Sequence, residues 1–161
     1  MGSGHIEIVD FSDEWADDFA ALNYEWIEKY FAVEKHDREI LGNPQKWVIE
    51  PGGQIFMAVL DRKAAGTVAM IPAGERVLEL TKMAVSPVYQ GHGIGSLLME
   101  ACIRFARNYA AKTIFLESHR SLGRALSLYQ KFGFIEVPTD PDSEYARADI
   151  KMELAITEGN M

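Results

Sequence analysis

The sequence predicts an α+β domain of mixed α/β character, in which a mixed sheet of six to seven strands is flanked by about four helices. Strand-like and helix-like segments succeed one another in the order β, α, α, β, β, β, α, β, α, β, β. Successive strands form antiparallel hairpins, whereas strands joined through a helix can pair in parallel, so the sheet should contain both kinds of pair. The 161 residues show no repeat or linker, which indicates one domain, 1–161.

The N-terminal part predicts one strand followed by helices. Ile6 to Val9 read as a short strand, and Ser12 is a suitable N-cap for the helix that follows. Apolar residues from Phe19 to Phe31 recur at the spacing of one or two helices. A shorter helix from Asp37 to Leu41 should end at the Gly-Asn-Pro sequence of residues 42–44. Residues 1–4 read Met-Gly-Ser-Gly, as a cloning remnant would, and are given no weight.

The rest of the chain alternates strands, turns and two further helices. Turn sequences at 51–53, 61–63 and 72–74 separate the first three of these strands. The predicted strands are Gln54 to Leu60, Gly66 to Ile71, Val77 to Val85, Thr113 to Glu117, Phe134 to Val137 and Ala148 to Ile156. The predicted helices are Ile94 to Tyr109 and Leu122 to Phe132, the second ended by Gly133 as its C′ residue.

The composition excludes several classes of protein. A net charge of −8 argues against a nucleic-acid partner, and no apolar run approaches the roughly 20 residues that span a bilayer. The single Cys102 excludes a disulfide framework or a cysteine-rich metal site and suits the cytoplasm. We therefore expect a cytoplasmic protein with no metal, nucleic-acid or membrane partner.

The charge is unevenly distributed along the chain. Residues 79–135 contain seven Lys or Arg and three acids, a net charge of +4, so the remainder carries −12. An anionic ligand at the basic segment and a cationic partner at the acidic one would fit. An ordinary solvated acidic surface explains the N-terminal acids equally well.

A glycine-rich loop between a strand and a helix is the most informative feature. Gly91, Gly93 and Gly95 alternate there, so backbone N–H groups can approach a ligand unobstructed, at a helix N-terminus that favours an anion. The third glycine of the dinucleotide-binding fingerprint is replaced by Ser96, and the lysine of the P-loop is missing. The loop therefore indicates a phosphate site of another type.

A second motif lies downstream: Ala125-x-x-x-Tyr129-x-Lys131-x-Gly133-Phe134. Together with Gln90-x-x-Gly93-x-Gly95 it resembles the Gcn5-related N-acetyltransferase (GNAT) family. The resemblance covers Val77 to Val137 closely and the remainder in element order. It implies the fold of that family, a mostly antiparallel sheet splayed at a cofactor groove.

The resemblance implies acetyl-CoA as cosubstrate. It places the backbone of Met83, Ala84 and Val85 against the pantetheine arm. It places the loop against the pyrophosphate, through Gln90, Gly91, His92, Gly93, Ile94, Gly95 and Ser96. Where many relatives carry an Asn beside the cofactor arm this chain has Leu122, so His119 or Ser121 is expected to supply the polar contact. Lys131, in the basic segment, would attract the nucleotide phosphates.

The implied reaction is direct acetyl transfer from the thioester to an amine, through a ternary complex. An alkylamine with a pKa near 10.4 is almost wholly protonated at pH 7, so a base is useful. Glu79 interrupts an apolar strand eleven residues before Gln90, the spacing of the catalytic glutamate in histone-acetylating members. Alternatively, Glu79 faces solvent or pairs with Lys82 or Arg76.

Tyr129 occupies the position of the family's tyrosine and would protonate the leaving thiolate; the alternative is a core tyrosine on an amphipathic helix. A backbone N–H of Val85 or Ala84 would stabilise the oxyanion. Cys102, in mid-helix without a nearby base, is expected to be a buried structural residue.

The acceptor is expected to be a small-molecule primary amine, which the acids and aromatic residues of the N-terminal helix suggest is cationic. Trp26, Tyr30 and Phe31 could form its aromatic lip; alternatively, Trp26 and Tyr30 form the buried stripe of their helix. Two other functions remain open: acetylation of a protein N-terminus or lysine, and a non-catalytic acyl-CoA sensor. Dimers are common in the family, so a homodimer is expected.

Overall fold

A computed structural model describes residues 5–157 of the chain. The remnant expected at residues 1–4 lies outside the described residues. The strands are β1 (Ile6–Asp10), β2 (Gln54–Leu60), β3 (Lys63–Pro72), β4 (Val77–Val85), β5 (Thr113–Ser118), β6 (Ile135–Val137) and β7 (Ile150–Ala155). The α-helices are α1 (Ala16–Tyr30), α2 (Lys35–Gly42), α3 (Ile94–Tyr109) and α4 (Gly123–Lys131).

All seven strands belong to one sheet in the order β1-β2-β3-β4-β5-β7-β6. Every neighbouring pair is antiparallel except β4 and β5, which are parallel. β4 and β5 are joined through α3, as a crossover between parallel strands requires, whereas β1 and β2 are joined through α1 and α2 and pair antiparallel. The predicted mixed and mostly antiparallel sheet is confirmed.

Helices cover both faces of the sheet and bury a hydrophobic core on each. One core lies against α3 and α4, and Leu98, Ile114 and Met152 are among its fully buried members. The other lies against α1 and α2, around Phe19 and Ile40. Covering both faces buries the central strands fully, which explains why β2 and β3 read as continuous apolar runs rather than alternating ones.

The start of α3 is held close to the sheet by a glycine. A Cβ on Gly66 of β3 would lie only 2.8 Å from Cγ2 of Ile94, the first residue of α3. Gly93 precedes the helix in the left-handed region, at φ +76, and takes the N-cap position without a side chain. These two glycines therefore set where the helix N-terminus sits above the sheet. Cys102 is fully buried in this helix, as expected of a structural residue.

The end of α4 follows the C′ prediction. Gly133 adopts φ +102, its N–H donates to the carbonyl of Gln130 at 3.0 Å, and the Phe134 N–H donates to that of Tyr129 at 3.1 Å. This pair of hydrogen bonds is a Schellman motif. It reverses the chain into β6 and anchors the last turn of α4.

Several local predictions need correction. Ser12 makes no side-chain capping bond; a 3₁₀ turn, Asp13–Trp15, leads into α1 instead. The short second helix begins at Lys35, two residues early, because the Asp37 carboxylate accepts the Glu34 N–H at 2.8 Å. Beyond it the chain forms an unpredicted π-helical turn, Gln45–Ile49, rather than a simple loop.

Candidate active site

A groove of about 370 Å³ opens where the two parallel strands separate. It is lined by one end of α1, the C-terminal halves of β4 and β5, the glycine loop, α4 and the loop before β7. The residues of these six segments that line it include Trp26, Phe31, Glu79, Lys82, Gly93, Glu117, His119, Arg124, Tyr129, Tyr145 and Arg147.

The separation of β4 and β5 is visible in their register. They pair only from Val77 with Thr113 to Glu79 with Phe115, although β4 continues to Val85 and β5 to Ser118. Beyond Glu79 the two strands no longer pair with each other. The unpaired backbone groups of this edge can therefore hydrogen-bond an extended ligand arm. The separation of the strands is the splay that the family resemblance implied.

A β-bulge in β4 accompanies the splay. Thr67 pairs with Ala84 and Ala69 pairs with Thr81. Two residues of β4, Lys82 and Met83, therefore lie opposite the single residue Val68 of β3. Lys82 has φ +56, a left-handed conformation that is uncommon for a residue with a side chain. The bulge bends the strand at the groove and directs the Lys82 side chain toward α2, where it meets Asp37.

The glycine loop forms one end of the groove. Gly91 and Gly93 have φ +87 and +76, and a Cβ on either would meet nothing within 4 Å. The backbone N–H groups of Ile94, Gly95 and Ser96 belong to the first turn of α3 and have no carbonyl partner within that helix. The loop thus presents open space beside unpaired donors at a helix N-terminus, which is an anion cradle.

Glu79 lies at the point where the strands part. Its side chain is half-buried, lines the groove, and has no hydrogen bond or ion pair with any of residues 5–157. The pKa of Glu79 is raised from 4.5 to about 7, chiefly by burial and in addition by the negative charge of the nearby Glu117 carboxylate. The alternatives that pair it with Lys82 or Arg76 are not observed: Lys82 binds Asp37, and Arg76 Nε donates to the Ala110 carbonyl at 2.9 Å.

Tyr129 faces the groove from α4. The residue is 8% exposed and packs against Phe134 with ring centroids 6.0 Å apart. Its hydroxyl has no hydrogen-bond partner among residues 5–157. Every fully buried side-chain oxygen in those residues has a partner, so the Tyr129 hydroxyl must be accessible to solvent. Burial raises the pKa of Tyr129 to about 12, which keeps the phenol protonated at neutral pH. The residue is therefore both a core tyrosine and a groove residue.

A buried ionic cluster closes the end of the groove opposite the glycine loop. Asp37 accepts bonds from Lys82 Nζ at 2.8 Å and from both terminal nitrogens of Arg147 at 2.7 and 2.8 Å. Lys82 also donates to the Tyr145 hydroxyl at 2.7 Å, and Arg147 lies 3.4 Å from the Glu34 carboxylate. Burial alone would raise the pKa of Asp37, but the bonds and charges of Arg147 and Lys82 hold it well below its usual range. The cluster joins α2, β4 and the loop before β7.

The aromatic residues at the end of α1 divide between groove and solvent. Trp26 and Phe31 line the groove, with ring centroids 6.1 Å apart, whereas Tyr30 is 48% exposed. The alternative in which Trp26 and Tyr30 form a buried stripe is therefore wrong for Tyr30. Glu34, which follows this helix, accepts a hydrogen bond from the backbone N–H of Ala146 at 2.9 Å.

The structure places most of the residues expected to bind acetyl-CoA on the groove. Those that line it are Met83, Val85, Gln90, Gly91, Gly93, Ile94, Gly95, Ser96 and His119. His119 Nδ1 lies 2.7 Å from the Ser121 hydroxyl, and its ring packs against Phe31. The other three are not in the lining: Ala84 is buried, His92 is exposed, and Lys131 Nζ lies 3.4 Å from the Ser96 hydroxyl.

Sequence reasoning missed Arg124 and the pairing of Asp37 with Lys82. Arg124 Nη1 donates to Gln90 Oε1 at 3.1 Å, so it joins α4 to the glycine loop across 34 residues. Lys82 carried a signal, since it interrupts an apolar strand. Nothing in the sequence shows that its partner lies 45 residues earlier.

Within residues 5–157, no group of three or more His, Cys, Asp or Glu side chains is placed to hold a metal ion. Over the same residues, no helix combines the length and apolarity needed to cross a membrane.

Comparisons with known sequences identify the family of this chain. A sequence model of the acetyltransferase (GNAT) family matches residues 6–134. N-acetyltransferase family 8 member 2 of Rattus norvegicus is 35% identical over 88 residues, which are 55% of this chain and 37% of that protein. N-acetyltransferase 8B of Mus musculus is 34% identical over 88 residues, 55% of this chain and 36% of that protein. The aligned part thus spans little more than a third of these relatives.

Solved structures share the whole fold. An acetyltransferase of the GNAT family from Staphylococcus aureus Mu50 superposes with a TM-score of 0.86 at 18% identity, covering 95% of this chain and 100% of that one. The PaiA N-acetyltransferase of Thermoplasma acidophilum, in complex with coenzyme A, gives 0.71 at 21% identity, covering 94% and 99%. At these identities the likeness shows the fold.

Proposed function

Because the chain belongs to the acetyltransferase (GNAT) family, we propose that it transfers an acetyl group from acetyl-CoA directly to a primary amine of a small molecule, within a ternary complex. One observation carries this proposal. The glycine loop, the unpaired stretch of β4, Glu79 and Tyr129 all face the same groove. An anion cradle, an edge for an extended arm, a base and an acid are thereby collected in one place.

The residues present fit acetyl-CoA as the acyl donor. The cradle at Gly91 and Gly93 leaves open space where a Cβ would otherwise project, beside N–H donors suited to a pyrophosphate. The stretch of β4 from Met83 to Val85 is free of β5 and suits the amide-bearing pantetheine arm. When bound, acetyl-CoA supplies a thioester whose carbonyl carbon is open to attack by an amine.

Glu79 acts as the base. Only the neutral form of an amine attacks a carbonyl, so the ammonium proton must leave, directly or through a water molecule. The Glu79 pKa of about 7 makes the carboxylate available at neutral pH and still basic enough to take that proton. Glu79 lies where β4 and β5 separate, beside the stretch of β4 proposed to bind the pantetheine arm.

Tyr129 assists the departing sulfur. A phenol protonated at neutral pH donates a hydrogen bond or a proton to the thiolate, so that free thiol and acetylated amine are the products. A backbone N–H of Ala84 or Val85 would stabilise the charge that develops on the carbonyl oxygen. The cytoplasmic location and the homodimer expected from the sequence stay predictions.

The test is an acceptor screen with acetyl-CoA. The purified protein is incubated with primary amines, amino acids and lysine-containing or free-N-terminus peptides, and thiol release is followed beside mass spectrometry of the acceptor. Thiol release together with the addition of one acetyl group to a small amine supports the proposal. Turnover on peptides alone would assign the protein-acetylating alternative, and acetyl-CoA binding without any turnover would assign the sensor.

A further inference from the structure

The part of the groove away from the glycine loop carries an unusual balance of charge. We call this part the acceptor half; it lies between α1, β4, β5 and the loop before β7. Three side chains that can be cationic line it, namely Lys82, His119 and Arg147, and two carboxylates, Glu79 and Glu117. Which of these charges are already neutralised decides what a ligand meets there.

The cationic side chains are bound by protein partners. Lys82 is buried and its ammonium is bonded to Asp37 and to the Tyr145 hydroxyl. The Arg147 guanidinium binds the same Asp37 carboxylate through both terminal nitrogens and lies 3.4 Å from the Glu34 carboxylate, so two carboxylates balance the two cations. His119 has Nδ1 beside the Ser121 hydroxyl and Nε2 3.4 Å from the Asp149 carboxylate.

The two carboxylates of the acceptor half have no such partners. Glu79 and Glu117 form no ion pair or hydrogen bond with any of residues 5–157. Their side chains lie on one face of the sheet. Glu79 of β4 pairs with Phe115 of β5, and Glu117 lies two residues after Phe115 on β5, so all three share that face. Lys151, the cross-strand neighbour of Glu117, holds its ammonium over the Phe115 ring, 4.7 Å from the centroid.

The walls around these carboxylates are aromatic. Trp26 and Phe31 form one side, and the Tyr145 ring, held by its hydrogen bond to Lys82, forms another. The Phe31 and Tyr145 rings already face the Arg147 guanidinium, which lies 5.7 and 4.8 Å from their centroids, so they offer apolar contact, and Trp26 supplies the aromatic face for a cation. The acceptor half therefore suits an ammonium group attached to an apolar or aromatic body.

We propose, resting on the acetyltransferase function above, that the acceptor is an arylalkyl- or alkylamine without a carboxylate beside its amino group, and that the groove rejects the corresponding α-amino acids. A carboxylate next to the reacting nitrogen would lie among Glu79 and Glu117 and find its potential cationic partners bound to Asp37 and Asp149. Like charges brought together in a partly desolvated site repel strongly.

The experiment compares amines with amino acids of the same shape. The pairs are phenethylamine and phenylalanine, tyramine and tyrosine, and isopentylamine and leucine, each with saturating acetyl-CoA. Phenylalaninamide keeps the bulk and the amino group of phenylalanine but has no carboxylate, so it separates the effect of negative charge from the effect of size. The expected result is a kcat/KM at least about tenfold higher for each amine than for its amino acid, with the amide close to the amine.

A matched pair of variants tests the cause. Glu117→Gln removes one unpartnered carboxylate and should narrow the phenethylamine-to-phenylalanine ratio at least about threefold. Glu153→Gln makes the same change on β7, outside the groove lining, and should leave the ratio unaltered. A ratio that Glu117→Gln leaves unaltered in a folded protein would overturn the inference.

The outcomes separate this inference from the function on which it rests. Acetylation of amino acids as fast as, or faster than, their amines overturns the inference and leaves the acetyltransferase standing. Absence of acetylation for every amine, amino acid and peptide, with acetyl-CoA bound, overturns both.

Discussion

Tyr129 and Phe134 hold each other at the end of α4. The Phe134 N–H donates to the Tyr129 carbonyl at 3.1 Å, and the two rings pack with centroids 6.0 Å apart. Gly133 makes the turn possible at φ +102. The Gly-Phe sequence therefore fixes the tyrosine against the core with its hydroxyl at the groove, which ties a helix-ending motif to the chemistry.

Tyr129→Phe should lower kcat at least about tenfold while leaving the affinity for coenzyme A unchanged. The ring packing is kept, and the hydroxyl has no partner among residues 5–157, so Tm should change little. Steady-state kinetics, calorimetric titration and thermal unfolding measure the three quantities. Tyr109→Phe, the same change at a half-exposed residue of α3, is the control. An unchanged kcat would remove Tyr129 from the mechanism.

Glu79→Gln should abolish one limb of the pH–rate profile. Since the wild-type base has a pKa of about 7, kcat/KM should rise with pH around that value as Glu79 ionises. The Gln variant should lack this limb and lose about 100-fold or more in kcat. Glu100→Gln, at an exposed position of α3, should keep the limb of the pH–rate profile and the wild-type kcat. Persistence of the limb in Glu79→Gln would assign it to another group.

The same substitution should change the pH dependence of stability. The Glu79 pKa is raised on folding from 4.5 to about 7, so between these values the folded state holds a proton that the unfolded state has lost. The free energy of unfolding therefore falls as pH rises through this window, by up to roughly 3 kcal/mol for the full shift. Glu79→Gln should be more stable than wild type at pH 8 and nearly equal at pH 4.5, by urea unfolding. Equal differences at both pH values would contradict this.

Asp37→Asn should be strongly destabilising. The substitution leaves Lys82 and Arg147 buried without their shared anion, a loss of about 3–5 kcal/mol in the free energy of unfolding. Asp140→Asn, in the exposed loop, should change it by less than about 0.5 kcal/mol. Urea unfolding at pH 7 measures both. A small loss for Asp37→Asn would mean that the cluster is not what joins α2 to the loop before β7.

Gly93→Ala should weaken the binding of coenzyme A more than it weakens the fold. The φ of +76 strains an alanine by about 1 kcal/mol, and its Cβ would project into the open space of the cradle. We expect the Kd to rise at least about tenfold, measured by calorimetry. Gly74→Ala introduces a Cβ at positive φ in an exposed turn and should leave the Kd unchanged. Equal effects of the two on binding would argue against a phosphate at Gly93.

Local patterns predicted most of the fold because each depended on nearby residues. α3 begins and ends where its glycine loop and periodicity indicated, and Gly133 ends α4 as its conformational freedom predicted. The starts of α1 and α2 and the π-helical turn at Gln45–Ile49 were not predicted. Backbone bonds there are chosen by side chains such as Asp37, whose preferences depend on more distant partners.

By itself the sequence determined the order of the strands and helices, the glycine loop and the tyrosine motif, because turn chemistry and periodicity are local. Only the tertiary structure decided that β4 and β5 part after Glu79, that Lys82 turns toward Asp37 at a bulge, and that Glu79 and Glu117 stay unpaired. These features join residues 36 to 45 positions apart in the chain. Their charges and burial arise from packing, which no short stretch of sequence specifies.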